Sequence, residues 1–435
     1  MKKYLLILII FNLPLHAEII TDGTFGIKTN LPGPNYLIDK SLGQQYGNNL
    51  FHSFQEFNLQ YDEKATFSGP NNIQNVISRV TGGNPSSIDG LIQSTIPNAD
   101  FYFLNPYGIM FGPNANLDIQ GSFHASTADY LRLGENGKFL TSHPEQSILT
   151  VAEPQAFGFL DNPASIDIQG GFLFMPPEQT LSIIGGDINI TDSVLFTPSG
   201  QINLVAIKEA EISLNNLQVN SFEKLGTITI SQSSVKLLQE ISLANIDVSG
   251  MPIPDMLPPN IGGQIFIRAR QFVLNKGSIF ADTYQGNGKN IDILANDLQL
   301  KNGAKITTYN YGDGQGGNVN ITTEKTILTK INDEFDNHQY YNVNNIDIRN
   351  YNIIGTDTYK NGISGNINID TNILEINHGI IASTVKQGGK SGNITINANN
   401  HTSLDNISII STSTEENSSG NAGDIKLNTS NSHSK

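Results

Sequence analysis

The second half of the chain repeats one small pattern: a glycine followed by aliphatic residues at alternate positions. It reads GGQIFI (Gly262 to Ile267), GKNIDI (Gly288 to Ile293), GGNVNI (Gly316 to Ile321), SGNINI (Ser364 to Ile369), SGNITI (Ser391 to Ile396) and AGDIKL (Ala422 to Leu427). The first aliphatics are Ile265, Ile291, Val319, Ile367, Ile394 and Ile425, at intervals of 26, 28, 48, 27 and 31 residues, the 48 containing an insertion. Weaker copies stand earlier, in GGDINI (Gly185 to Ile190), SGQINL (Ser199 to Leu204) and GTITI (Gly226 to Ile230). Between the anchors lies a second pattern, in FVLNKGSIFADT (Phe272 to Thr283), LQLKNGAKITTY (Leu298 to Tyr309) and LEINHGIIASTV (Leu374 to Val385). There, alternating aliphatics lead to a glycine turn, another aliphatic pair and small hydroxyl residues.

Alternation and turn chemistry together predict about three short strands per period, separated by corners. A single period cannot bury its apolar residues. Stacked copies can, each coil hydrogen-bonding to the next at about 4.8 Å so that inward side chains form a continuous ladder. The expected fold is all-β, a parallel β-helix (β-solenoid). Helical periodicity is weak and heptads are absent, which argues against a helical solenoid. The stretch FLNPYGIMFGPNANLDIQGSF (Phe103 to Phe123) fits the same scheme. Asn105-Pro106-Tyr107-Gly108 suits a type I turn, Gly112-Pro113-Asn114-Ala115 a second, and Leu117 and Ile119 alternate with polar residues as in a strand.

Composition refines this picture. Lys2 and Lys3 precede the apolar run LLILIIFNL, and His16-Ala17 follow a breaker at Pro14, the layout of a signal peptide over residues 1–17. No later apolar run approaches the length of a membrane span, so no stable membrane insertion is expected. The chain has no cysteine. Two explanations stay open: a core large enough to need no disulfides, or passage through a further membrane unfolded, where a cross-link would block transit. The net charge is −15, with only 15% charged residues and no cluster of lysine and arginine, which excludes nucleic acid or anionic lipid as an expected partner.

Residues from 20 to 140 resemble the amino-terminal secretion domain of filamentous haemagglutinin-like exoproteins of the two-partner secretion pathway. The segments that carry the resemblance are NNLFHSFQEFNL (Asn48 to Leu59), ATFSGPNNIQNVISRVTGGNPSSIDGLI (Ala65 to Ile92) and FLNPYGIMFGPNANLDIQGSFHASTADYL (Phe103 to Leu131), with LSIIGGDINI more loosely. The family's asparagine–proline turn appears as Asn105-Pro106-Tyr107-Gly108-Ile109, with Tyr107 where many members carry asparagine. The resemblance implies a right-handed parallel β-helix with an N-terminal cap and extra-helical loops. It also implies recognition of the unfolded chain in the periplasm by a dedicated outer-membrane β-barrel transporter, export, and folding outside a Gram-negative cell. Residues 18–250 are then the secretion domain and first coils, and 251–435 the repeats, with an inserted loop at 330–360.

Two groups of residues are candidates for function. Asn105, Pro106, Tyr107, Gly108 and Ile109 could be contacts read by the transporter or a turn that only stabilises the coil. Asn48, Phe51, Phe54, Phe57 and Asn58 could be an early recognition segment or part of a cap over the open end of the β-helix. His52 and His124 lack a metal-spaced partner and read as ordinary histidines. GDGQGGN (Gly312 to Asn318) lacks the tandem copies of calcium-binding repeats and reads as a corner. No metal and no cofactor are expected.

A second function class is a secreted β-helical enzyme acting on polysaccharide. Arg268 and Arg270, two apart on a strand, would share a face and could clamp an anionic sugar, the plain alternative being two solvated strand residues. Carboxylates are dispersed, and neither a nucleophile elbow nor zinc spacing appears, so the chain is read as a non-enzyme. The preferred reading is an adhesin-like exoprotein, released or held at the cell surface, with a carbohydrate or protein receptor. Residues Glu334 to Asn352, rich in Tyr, Asn and Asp, and the proline loop Met251 to Asn260 are candidate loops for such contacts, the plain alternative being disordered or extra-coil segments without a ligand. AGDIKL is followed by a polar tail, and either that tail protects the last coil or the exoprotein is truncated or naturally short.

Overall fold

A computed structural model describes residues 18–219, 221–233, 237–238, 241–242, 245–250, 260–330, 342–343, 346–347, 351–415, 418–430 and 432–434. The expected signal peptide, most of the proline loop and most of the expected 330–360 insertion lie outside the described residues.

The chain winds into a parallel β-helix whose coils present three faces. On the first face the pairing runs upward without interruption through Asn49–Phe57, Asn75–Val80, Asp100–Leu104, Phe123–Ser126, Thr180–Gly185 and Gln201–Ala206. It continues through Gln264–Asn275, Ile291–Lys301, Val319–Thr329, Ile367–Asn377, Ile394–Asp405 and Ile425–Thr429. Every adjacent pair in this series is parallel. The third face is a four-stranded sheet in the first coils and an eight-stranded sheet in the later ones.

The aliphatic anchors stack as expected. Ile202 pairs with Ile265, then Ile291, Val319, Ile367, Ile394 and Ile425 follow in one vertical line. Below it the line continues through Leu181, Phe123, Phe101, Val76 and Leu50. Two of the weaker copies belong elsewhere. Ile188 of GGDINI and Ile228 of GTITI stand on the second face, in a line with Ile166 below and Phe272 above. A three-sided coil needs a corner and an alternating strand on each side, so one sequence pattern recurs on different faces.

The expected three strands per coil also need correction in the repeats. The first two run on as one bent strand: Gln264–Asn275 pairs with Gln201–Ala206 along its first half and with Thr227–Ser231 along its second. In four of the later coils the corner into the third face is taken by a residue with positive φ, at Lys276, Asn302, His378 and Asn406. Glycine follows it in three of these; space is short at Gly277 and Gly379, where a Cβ on Gly379 would meet Ile376 Cγ2 at 2.6 Å, and Gly303 has φ 89°.

The interior changes along the axis. The first coils hold Phe54, Phe57, Phe67, Phe101, Phe103, Phe111 and Phe123, all fully buried in one core cluster. The later coils fill the same core mainly with Ile, Leu, Val and Ala, with Phe272 among them. A second layer covers the first face of the early coils. Tyr130–Leu133, Gly137–Leu140, Pro154–Phe159 and Ala210–Ser213 form an antiparallel sheet. Its Leu131, Leu133, Phe139, Phe157, Phe159 and Ile212 pack on the outward Phe51, Ile77, Tyr102, Leu104, Ile184 and Val205. Strands here are buried on both sides, and all of Asn75–Val80 is buried.

Candidate functional site

The Asn105 corner forms as the turn chemistry predicts, with Gly108 N donating to Asn105 O at 3.2 Å and Gly108 at φ 123°. Ala115 N likewise donates to Gly112 O at 3.2 Å in the next corner. The Asn105 side chain is fully buried. Its Oδ1 accepts from Tyr107 N at 3.0 Å, and its Nδ2 donates to Asn84 O at 3.0 Å and Ser86 Oγ at 2.9 Å. Asn105 N donates to Ser126 O in the coil above, and Ile109 pairs with Ser86 below and Ile166 above. The corner thereby ties coils on both sides. What it shows to solvent is Tyr107 and Met110, 39% and 40% exposed.

The segment from Asn48 to Asn58 begins the first face. Asn48 is exposed and donates from Nδ2 to Gln74 Oε1 at 2.9 Å. Phe54 and Phe57 point into the coil, their rings 5.2 Å apart, while Phe51 faces the covering layer, 5.1 Å from Phe139. Inward rings three residues apart require an irregular strand, and the register with Ile19–Thr21 slips there: Glu56 pairs with Ile20, and Phe54 with Thr21. Two antiparallel strands, Ile19–Thr21 and Gly43–Tyr46, lie along this strand and shield its edge. Asn58 Oδ1 accepts from Ser87 N at 2.8 Å. The two candidate groups sit in different coils, joined through the core by the Phe57–Phe103 contact at 5.0 Å.

Sequence reasoning missed Arg79. It is fully buried between the first face and the covering layer. Nε donates to Ser53 Oγ at 2.8 Å, and Nη1 donates to Ser147 Oγ at 2.7 Å and to Leu140 O. The guanidinium lies 4.2 Å from the Phe139 ring centre and 5.9 Å from that of Phe25. Burial pulls its pKa down to about 10, against the favourable charges of Asp22 and Glu145. Asp22 joins the group through Ser53 Oγ, which donates to its Oδ2 at 2.5 Å. Burial acts to raise the Asp22 carboxyl, yet hydrogen bonds from Ser53, Thr24 and Thr81 hold it below the ordinary range. The one charged residue in the strand NVISRV was the available signal.

The histidines are buried. Burial pulls His52 down to about 4 and His124 to about 3. His124 Nδ1 lies 2.9 Å from Ser182 Oγ, and its ring stacks on Tyr102 at 4.5 Å. Among the described residues no group of three or more His, Cys, Asp or Glu could hold a metal ion. No helix among them is long and apolar enough to cross a membrane.

The arginine pair is not a clamp. The strand ladder passes from Ala269↔Ala295 to Gln271↔Asp297 and leaves Arg270 exposed at the bend. Nor is Arg268 simply solvated. It donates from Nε to Leu217 O at 3.3 Å and from Nη1 to Ile267 O and Asp292 O at 3.0 and 2.8 Å. It lines an open groove of about 410 Å³ with Leu217, Val219, Asp292, Asn320 and Thr322, where the covering layer ends. Asp292 accepts from Gln264 Nε2 and Asn320 Nδ2, and Asn368 Nδ2 donates to Asn320 Oδ1 at 2.9 Å. This begins a polar amide column along the uncovered first face.

Comparison with known proteins places these features. The TPS secretion domain family matches residues 17–253. A segment of 84 residues is 32% identical to the heme/hemopexin-binding protein of Haemophilus influenzae; it makes up 19% of this chain and 9% of that protein. The fold is similar to the crystal structure of the HMW1 secretion domain from Haemophilus influenzae, with a TM-score of 0.53 at 16% identity over 95% of this chain and 98% of that one.

Proposed function

The chain belongs to the TPS secretion domain family, the exoproteins of two-partner secretion, and from that premise we propose that it is an adhesin-like exoprotein exported by a dedicated outer-membrane β-barrel transporter. The family match over the covered coils is the observation that carries this reading. Residues 18–250 supply the export region and the scaffold, and 251–435 extend it towards a carbohydrate or protein receptor outside the cell or at its surface. The amide column from Gln264 through Asp292 and Asn320 to Asn368 supports a recognition role, because a flat polar face suits contact with a polar surface. The alternative, a polysaccharide-degrading enzyme, needs an acid and a base free to move protons in a lateral groove. In the groove beside Arg268, both Asp292 oxygens already accept side-chain amides, which weighs against that alternative.

The Asn105 to Ile109 corner and the Asn48 to Asn58 segment have structural work in the folded chain, and a recognition role would be exercised before folding. Export is tested by expressing the chain in a Gram-negative cell with and without the matching transporter. Appearance of the chain outside only with the transporter supports the reading, and equal export without it refutes the pathway. Asn105→Ala with normal transporter-dependent export would remove that side chain from the recognition contacts.

A further inference from the structure

We propose that the hairpin segment 137–152 is a clasp that closes on the first two coils through Arg79, so that the chain from Ile19 to Phe159 becomes stable as one unit and not coil by coil. The inference deepens the export reading and rests on it for its meaning in the cell.

Three separate parts of the chain converge on this arginine of the second coil. Asp22 and Phe25 come from the N-terminal cap, Ser53 from the first coil, and Phe139, Leu140 and Ser147 from the hairpin. A second set of bonds makes the same connection without Arg79. Asn49 Nδ2 donates to Thr150 O at 3.1 Å and Ala152 O at 2.8 Å, and Asn75 Nδ2 donates to Asn49 Oδ1 at 2.8 Å. A buried guanidinium is tolerable only with acceptors around it, and here the hairpin supplies two of the three. Until the hairpin docks, Arg79 keeps its water, and Phe51, Ile77, Tyr102 and Leu104 keep an apolar face uncovered.

The contacts are long in sequence: Ser147 follows Arg79 by 68 residues, and Thr150 follows Asn49 by 101. Closing such loops costs entropy before any contact rewards it, so the early coils gain their outer layer late. In a chain that leaves the pore amino end first, the leading coils stay incompletely buried until Ser147 is outside. Resistance to sliding back is then acquired at that point, in one step. The same delay keeps the segment from Asn48 to Asn58 without its outer cover while the chain is being recognised.

The test is hydrogen exchange, read by mass spectrometry on the purified mature chain without transporter. Arg79→Met keeps the aliphatic stem and removes the fork. It should speed exchange about tenfold or more in Asn49–Phe57, Asn75–Val80 and 137–152 together, leaving Ile291–Lys301 and Ile367–Asn377 unchanged. Acceleration confined to Asn75–Val80, with 137–152 at its wild-type rate, would overturn the clasp; so would equal acceleration along the whole chain. If Arg79→Met does not fold, Asn49→Ala reads the second set of bonds and should loosen 137–152 and Asn75–Val80 together, whereas a change limited to residues 150–152 contradicts the proposal. A negative result here leaves transporter dependence intact. Export without the transporter would in turn leave the exchange result intact.

Discussion

The early and late coils of this solenoid differ in how many sides of a strand are buried. In Asn75–Val80 every side chain is buried, half against an aromatic interior and half against the covering sheet. In Val319–Thr329 burial alternates along most of the strand, and outward positions carry Asn320, Thr322 and Glu324. The late coils therefore hold to their neighbours above and below, and each adds a similar increment of stability. The early coils are also joined sideways by a layer drawn from residues 130–213, so a weakness in one spreads to several.

Core truncation should separate the two regions most strongly. Phe67 is fully buried and its ring meets those of His52, Phe54, Phe57 and Phe101. Phe67→Ala is expected to cost about 3–5 kcal/mol. Local denaturation, followed by exchange or limited proteolysis, should reach the whole covered region. Ile369→Val, in the late coils, should cost about 0.5–1.5 kcal/mol and loosen only adjacent coils.

Acidification should move the two regions in opposite directions. His52 and His124 are held neutral by burial, at about 4 and about 3, below the unfolded value of 6.5. A depressed folded pKa gives stability that is present above the unfolded pKa and lost as pH falls towards the folded one. Between pH 7.5 and 5 the covered region should lose about 2 kcal/mol per histidine. Asp357 is raised by burial to about 6, and Asp282 is raised well above the carboxylate range by burial and by the charges of Asp247 and Asp357. A raised folded pKa gives stability that is complete below the unfolded pKa and lost as pH rises through the folded one. Over the same interval the late coils should gain about 1 kcal/mol from Asp357. Region-resolved exchange at the two pH values checks both signs, and parallel movement of the regions would break the distinction.

Smaller effects sharpen it. Asn105→Ala leaves the Tyr107 amide and two acceptors of the corner without their partner, and a fall of about 1–3 kcal/mol in denaturant unfolding is expected. Asn368→Ala, in the outward amide column, should change stability by less than about 1 kcal/mol. Any receptor contact on that face would then be read as lost binding to a cell surface without lost folding.

The sequence showed the late coils more clearly than the early ones, for a physical reason. With one side of each strand in water, alternation is clean, and Ile265 to Ile425 could be aligned by spacing alone. Where both sides are buried, alternation disappears, and NVISRV or FYFL could be placed only by resemblance. The covering sheet was not legible, because three of its strands lie in a long excursion between Ser126 and Ile166, the fourth is Ala210–Ser213, and together they leave no period. Arg79 was hidden for a related reason: Phe139, Leu140 and Ser147 lie in that excursion, and Ser53 and Phe25 are far from it in sequence. The corner at Asn105 was legible because turn chemistry is local, whereas the different faces of Phe51 and Phe54 depend on an irregularity that spacing does not reveal.

The central claim is that the information for export lies in the covered coils and not in the repeats. Its most direct measurement places residues 18–250 and residues 251–435 separately behind the same signal peptide, in cells that carry the transporter. The account predicts that the first reaches the medium or the cell surface and the second stays in the periplasm. Export of the second at the level of the first would contradict it.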